Sequence, residues 1–161
     1  MQIFVLSRHQ SLSASMLFCI DFKRANKQIL ELGQILSTVA TNKYKINNKN
    51  LYKPCFTKHP IVLWASKNDI NFIWSLLYLK ELLNIFEAIR HKHHKTEIIY
   101  KTLYSYKDTK LKTVFNTTFL NKDVQFCRCL SNDNYDRNNI FKAYKQYIFK
   151  KLKDKIIKTT K

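Results

Sequence analysis

DFKRANKQILELGQILST, residues 21–38, is the stretch whose reading decides the fold. Projected at 3.6 residues per turn, Ala25, Ile29, Leu32, Leu36 and the following Val39 fall on one side, while Arg24, Lys27, Glu31, Gln34 and Thr38 line the other. An apolar stripe of that kind needs cover, so the segment predicts an amphipathic helix lying on a core. Asp21 can accept from the free N–H groups of the first turn and its charge complements the positive helix end, which puts the start there and the end near Ala40. Glu31 follows Lys27 by one turn and Arg24 by two. Two readings fit: a solvated ion pair contributing about 0.2–0.5 kcal/mol, or a carboxylate held among cations for chemistry on an anionic substrate.

Before this helix, MQIFVL (1–6) is an apolar run too short for periodicity to separate a strand from a buried extended arm. Ser11 to Ile20 predicts a short helix. After it, TNKYKINNKN (41–50) is polar and Asn-rich and predicts an exposed loop. In LYKPCFTKHPIVLW (51–64), Pro60 suits a first helical turn, which sets His59 just outside a helix running to Ser66, at its positive end. There it is a capping residue or an anion contact. Asp69 to Arg90 is apolar almost all round, with one polar line at Lys80, Asn84 and Glu87; Trp64 and Trp74 are expected as core anchors. Ile98 to Tyr106 predicts a further helix. TVFNTTFL (113–120) is β-branched and aromatic and fits a strand or a loop pinned to the core, and 121–139 predicts a long exposed loop. From Ile140 to Ile157 a helical stripe returns through Phe141, Tyr144, Ile148, Leu152 and Ile156. Its other faces carry lysines, Lys145 among them, beside Tyr147 and Phe149, a mixture that suits nucleic-acid contact by charge and stacking or a plain solvated face.

The composition narrows the classes. One hundred and sixty-one residues make one domain with a core of its own, and a single Gly and two Pro leave few of the breakers that β-sandwiches use at their turns. The fold class is therefore all-α: a compact helical bundle, 1–161, with an N-terminal extended arm. A formal charge of +18 points to a polyanionic partner, DNA first, although the excess of Lys over Arg also follows from an A+T-rich genome and argues against extensive bidentate recognition. Cys19, Cys55, Cys127 and Cys129 have no disulfide-framework spacing, so reduced thiols inside a cell are expected. Arg8 and His9 interrupt any secretory signal, and the apolar run Ile70–Leu79 is too short to span a membrane, so the expected location is soluble, in host cytoplasm or nucleus. The RHKHHKTE segment (90–97) and the Cys127/Cys129 pair lack the ligand spacing of structural zinc, so the segment reads as a cationic helix end that phosphate can occupy, and no metal is expected. No P-loop, dinucleotide fingerprint, HExxH or GxSxG occurs.

In chain order, MQIF, DxKRxxKQILELxQILST, YKPxxxKHPxxLW, KxHK and AYKQYI resemble a family of small phage and viral proteins over Met1 to about Phe149. That family is in turn similar to the pyrimidine-dimer DNA glycosylases of the phage endonuclease V type, which are basic, single-domain and all-helical. The resemblance implies DNA as partner and a DNA glycosylase/AP lyase that needs neither cofactor nor metal. In those enzymes the N-terminal amine attacks C1′ of the damaged nucleotide and a Glu on the first long helix assists. Carried over, Met1 supplies the amine and Glu31 the carboxylate, with Arg24 and Lys27 as phosphate contacts and with His59 and His94 added because they match positions of the small phage and viral family. The family exposes its amine on a small second residue, whereas Gln2 here is bulky and predicts retention of Met1. Two other functions fit the same charge: a non-catalytic nucleic-acid-binding accessory protein with Glu31 in a structural ion pair, and an enzyme acting on a phosphate-bearing small molecule.

Overall fold

The long buried helix Asp69–Arg90 (α4) is the hub, and α1 (Gln10–Ile20), α2 (Phe22–Asn42), α3 (Pro60–Lys67), α5 (Glu97–Ser105) and α6 (Lys112–Asn116) all pack on it. The last helix, α7, runs from Ile140 to Thr159. The computed structural model describes residues 2–118, 123–127, 130, 135–136 and 138–159, the side chains of 156, 158 and 159 excepted; among the described residues there are seven helices and no strand. They form one compact all-helical domain. No helix among them is long and apolar enough to cross a membrane.

Local chemistry sets the boundaries. Asp21 caps α2, accepting the Arg24 N–H at 2.9 Å, and Asn68 caps α4, accepting the Asn71 N–H at 2.7 Å. The α4 helix ends at His91, whose φ of 52° is the left-handed stop that turns the chain back toward α2. Trp74 is fully buried and Trp64 nearly so, edge-on to one another with ring centroids 6.4 Å apart. The chain's one glycine, Gly33, sits mid-way along α2 where a Cβ would fall inside the van der Waals envelope of Thr96 Cγ2 and within 3.1 Å of Tyr52 Cε2.

The first residues form an extended arm without a sheet. Ile3, Phe4, Val5 and Leu6 are buried in the main core, a burial of roughly 1.5–3 kcal/mol for each large side chain. A strand buried away from other strands needs partners for its peptide groups, and helix side chains supply them. Gln28 on α2 accepts the Phe4 N–H at 2.9 Å and donates to the Gln2 carbonyl at 3.0 Å. Tyr78 on α4 donates to the Phe4 carbonyl at 2.9 Å, Ser13 on α1 accepts the Leu6 N–H at 3.0 Å, and Trp74 donates to the Arg8 carbonyl at 2.9 Å.

Two readings from the sequence are corrected. The segment beginning at Thr113 is neither strand nor loop at its start: 112–116 is the short helix α6, because burying Val114 against α4 outweighs β propensity. Its last two residues lie outside the described ones. Thr38, placed on the polar side of α2, is buried, because the chain returns over it and Cys55 bonds it through both its N–H (3.1 Å) and its carbonyl (3.3 Å).

Candidate functional site

The polar stripe of α2 becomes a site where the arm and the 52–59 segment meet it. Glu31 Oε2 accepts the Gln2 backbone N–H at 3.0 Å, and Oε1 lies 3.6 Å from Lys27 Nζ. The Glu31 side chain is only 13% exposed while that of Lys27 is 72% exposed. The carboxylate is thus mostly withdrawn from water, whereas its cation stays in solvent. This is not the fully solvated pair that spacing alone allows, and it holds a charged oxygen at the start of the polypeptide. Met1 itself lies outside the described residues.

His59 caps α3 as its spacing before Pro60 predicts, with Nδ1 accepting the Ile61 N–H at 3.2 Å. That bond fixes Nε2 as the proton-bearing nitrogen of the neutral ring. Burial lowers the His59 pKa below 6.5; the positive charge of the chain's amino terminus lowers it further, and the Glu31 carboxylate opposes both. His59 and Glu31 therefore share one electrostatic neighbourhood, and near neutral pH His59 is an N–H donor rather than a cation. His94 repeats the device: Nδ1 accepts the Thr96 N–H at 3.1 Å, the ring stands edge-on to Phe86 at 5.0 Å, and burial lowers its pKa.

Alongside lies a cleft of about 1070 Å³ between the first half of α2 and the turn joining α4 to α5, with Lys155 of α7 also at its edge. Leu30, Tyr52 and Phe86 give it an apolar lining, and Lys23, Lys27, Lys92 and Lys95 give it charge. Among the described residues, Lys23, Lys92 and Lys95 have no acidic partner. Arg24 lines the same cleft, its Nε bonded to Asp21 at 3.2 Å and its guanidinium over the rings of Phe4 and Tyr147. The Arg24 η nitrogens keep their donors for another acceptor. Glu31 does not line the cleft; Lys27 belongs to both.

Of the residues singled out from the sequence, Arg24, Lys27 and His94 share the cleft, Glu31 pairs with Lys27 at its edge, and His59 caps α3 outside it, its imidazole feeling the Glu31 charge. Lys145 stands apart on α7, half-buried, with no hydrogen bond or ion pair to this group. Sequence reasoning missed Gln28, although an amide on the apolar stripe between Ala25 and Leu32 signals a buried polar partner. It also passed over Tyr52 and the Lys92/Lys95 pair as individual contributors, since their meeting with α2 depends on the close approach at Gly33.

Among the described residues no three His, Cys, Asp or Glu side chains are grouped so as to hold a metal ion. Cys19 and Cys55 are free thiols, and Cys129 lies outside the described residues. No protein-family model matches this chain, and neither a curated protein nor a solved structure does.

Proposed function

We propose that this protein is a DNA-directed glycosylase/AP lyase that uses the Met1 amine as nucleophile and Glu31 as the assisting carboxylate. The observation that carries the reading is the 3.0 Å hydrogen bond from the Gln2 N–H to Glu31 Oε2, one peptide away from that amine. An α-amine titrates near about 7.7–8.0, so a useful fraction is neutral and nucleophilic at physiological pH. At an intact nucleotide the amine displaces the base from C1′, a proton goes to the departing base, and the sugar ring opens by breaking C1′–O4′; at an abasic site the amine adds to the C1′ aldehyde, and the carbinolamine loses water. Both routes give a C1′ imine. Glu31, as the assisting carboxylate, then takes a C2′ proton and the 3′ phosphate leaves by β-elimination. The cationic cleft and the surplus charge hold the phosphates on either side, and the target nucleotide must leave the stack at a cost of a few kcal/mol.

Borohydride reduction tests the proposal. Incubated with ultraviolet-irradiated duplex or an abasic-site duplex, the protein is expected to form a secondary-amine adduct that maps by mass spectrometry to the N-terminal peptide. A second reading, a non-catalytic nucleic-acid-binding accessory protein, is favoured by the engagement of both Glu31 oxygens, by Gln2 and by Lys27. Salt-sensitive DNA binding with neither adduct nor nicking selects it. Neither binding nor cleavage of DNA shifts the cleft to a phosphate-bearing small molecule.

A further inference from the structure

Phe56 is 64% exposed, more than any other large hydrophobic side chain among the described residues, and it occupies the left-handed region at φ 51°. A non-glycine residue held there is strained and persists only where the surroundings fix it. Here they do, on both sides. Cys55 is tied to Thr38 of α2 through its N–H and its carbonyl, and the Phe56 carbonyl accepts the His59 N–H at 2.8 Å just as His59 begins to cap α3. The chain thus maintains a strained backbone to hold a bare ring in water, at the tip of a turn that leads into the His59 cap of α3. Lys53 and Lys58 flank it, both exposed and, among the described residues, without an ion-pair partner. An exposed ring in a run that carries two exposed cations without ion-pair partners suits an aromatic polyanion better than an apolar protein face, which excludes unpaired charge.

We propose that Phe56 is a stacking platform for one unpaired base, which makes single-stranded or locally unstacked nucleic acid the substrate class of this protein. This rests on the DNA-directed reading above and adds the residue that selects an open strand. A ring pre-set by its backbone loses little freedom when a base settles on it, so most of the stacking energy appears as affinity.

The test compares wild type with Phe56→Ala, Phe56→Leu and Phe56→Trp on a single-stranded oligonucleotide containing 2-aminopurine, on the matching duplex, and in borohydride trapping on an abasic-site duplex. Phe56→Ala is expected to weaken single-strand binding about 5- to 150-fold, the equivalent of one stacked base at about 1–3 kcal/mol, and to abolish the 2-aminopurine fluorescence change. Phe56→Leu is expected to behave like Ala, Phe56→Trp like wild type, and duplex affinity to change less than threefold. Because the side chain is exposed, the thermal melts of all variants are expected to coincide. Single-strand binding by Phe56→Ala within twofold of wild type, or rescue by Leu, overturns the platform. Adduct formed equally by wild type and Phe56→Ala, with unchanged single-strand affinity, removes the platform and leaves the lyase standing. No adduct from any variant, with stacking lost in Phe56→Ala, removes the lyase and leaves the platform.

Discussion

The two sides of α2 treat polar side chains in opposite ways. On the inner side Gln28 is fully buried and both ends of its amide are spent on the peptide groups of Gln2 and Phe4. On the outer side Lys23 and Lys27 stand in solvent beside a cleft that also collects Lys92 and Lys95. Inside, an unpaired polar atom costs more than a paired one gains, so the chain pairs every one it uses to seat the arm. Outside, water covers an unpaired lysine at little cost, and an array of them retains its attraction for an incoming anion. Glu31 belongs to both sides, with one oxygen on the arm and the other toward Lys27. The lesson is that seating the arm and receiving an anion are separable by mutation, and that Glu31 is where the two meet.

Glu31→Gln should separate them most sharply. The amide oxygen still accepts the Gln2 N–H, so the urea midpoint should move little, while the rate of strand cleavage at an abasic-site duplex falls about 10²–10⁴-fold and the borohydride adduct still forms. Gln28→Leu should do the reverse of what a surface change does: it leaves the Phe4 N–H buried and unpaired and removes the donor to the Gln2 carbonyl, a loss of about 2–4 kcal/mol in equilibrium urea unfolding. A cost under 1 kcal/mol would mean that the arm is not seated as described. Gly33→Ala gains about 1 kcal/mol of helix propensity but drives a methyl into Thr96, which is buried and bonded to both Tyr52 and His94, so a net loss of about 1–3 kcal/mol is expected in thermal unfolding.

On the outer side the effects are smaller and shared. Replacing Lys23, Lys92 or Lys95 singly by Ala should leave the melt unchanged and reduce the slope of log K against log salt by about 1 each in duplex binding. The smallest effect concerns pH. His59 and His94 have folded pKa values below the unfolded 6.5, so the folded state favours their neutral forms. Their contribution is complete above 6.5 and is lost as pH falls through the folded values, so the melting temperature should decline modestly from pH 7 toward 5. The decline should be reduced in the His59→Gln, His94→Gln double variant.

How much of this was legible follows the same division. Helical period and caps gave α2, α3 and α4 almost to the residue, because Asp21, Pro60 and the apolar face of 69–90 act locally. The 1–6 run was undecidable because what makes it an arm lies elsewhere, in Ser13, Gln28 and Tyr78. The Lys27–Glu31 spacing was legible, but the burial of one partner was not, since it depends on the arm lying alongside. The cleft was half legible: the 90–97 charge cluster is plain in the sequence, while its docking on α2 depends on a left-handed His91 and a missing Cβ at Gly33.

The partners of the arm fall on residues 2, 4, 6 and 8, so the interior works as a ruler marked in dipeptides. A slip of one residue would turn each N–H and carbonyl to the wrong neighbour, and a slip of two would exchange Phe4 for Gln2 or Leu6 against Arg24 and Tyr147. At about 3.3 Å per extended residue, the distance from the Trp74 anchor to the head of the chain is set by the fold. Residues added ahead of Gln2 would overhang the ruler without shifting any mark on it.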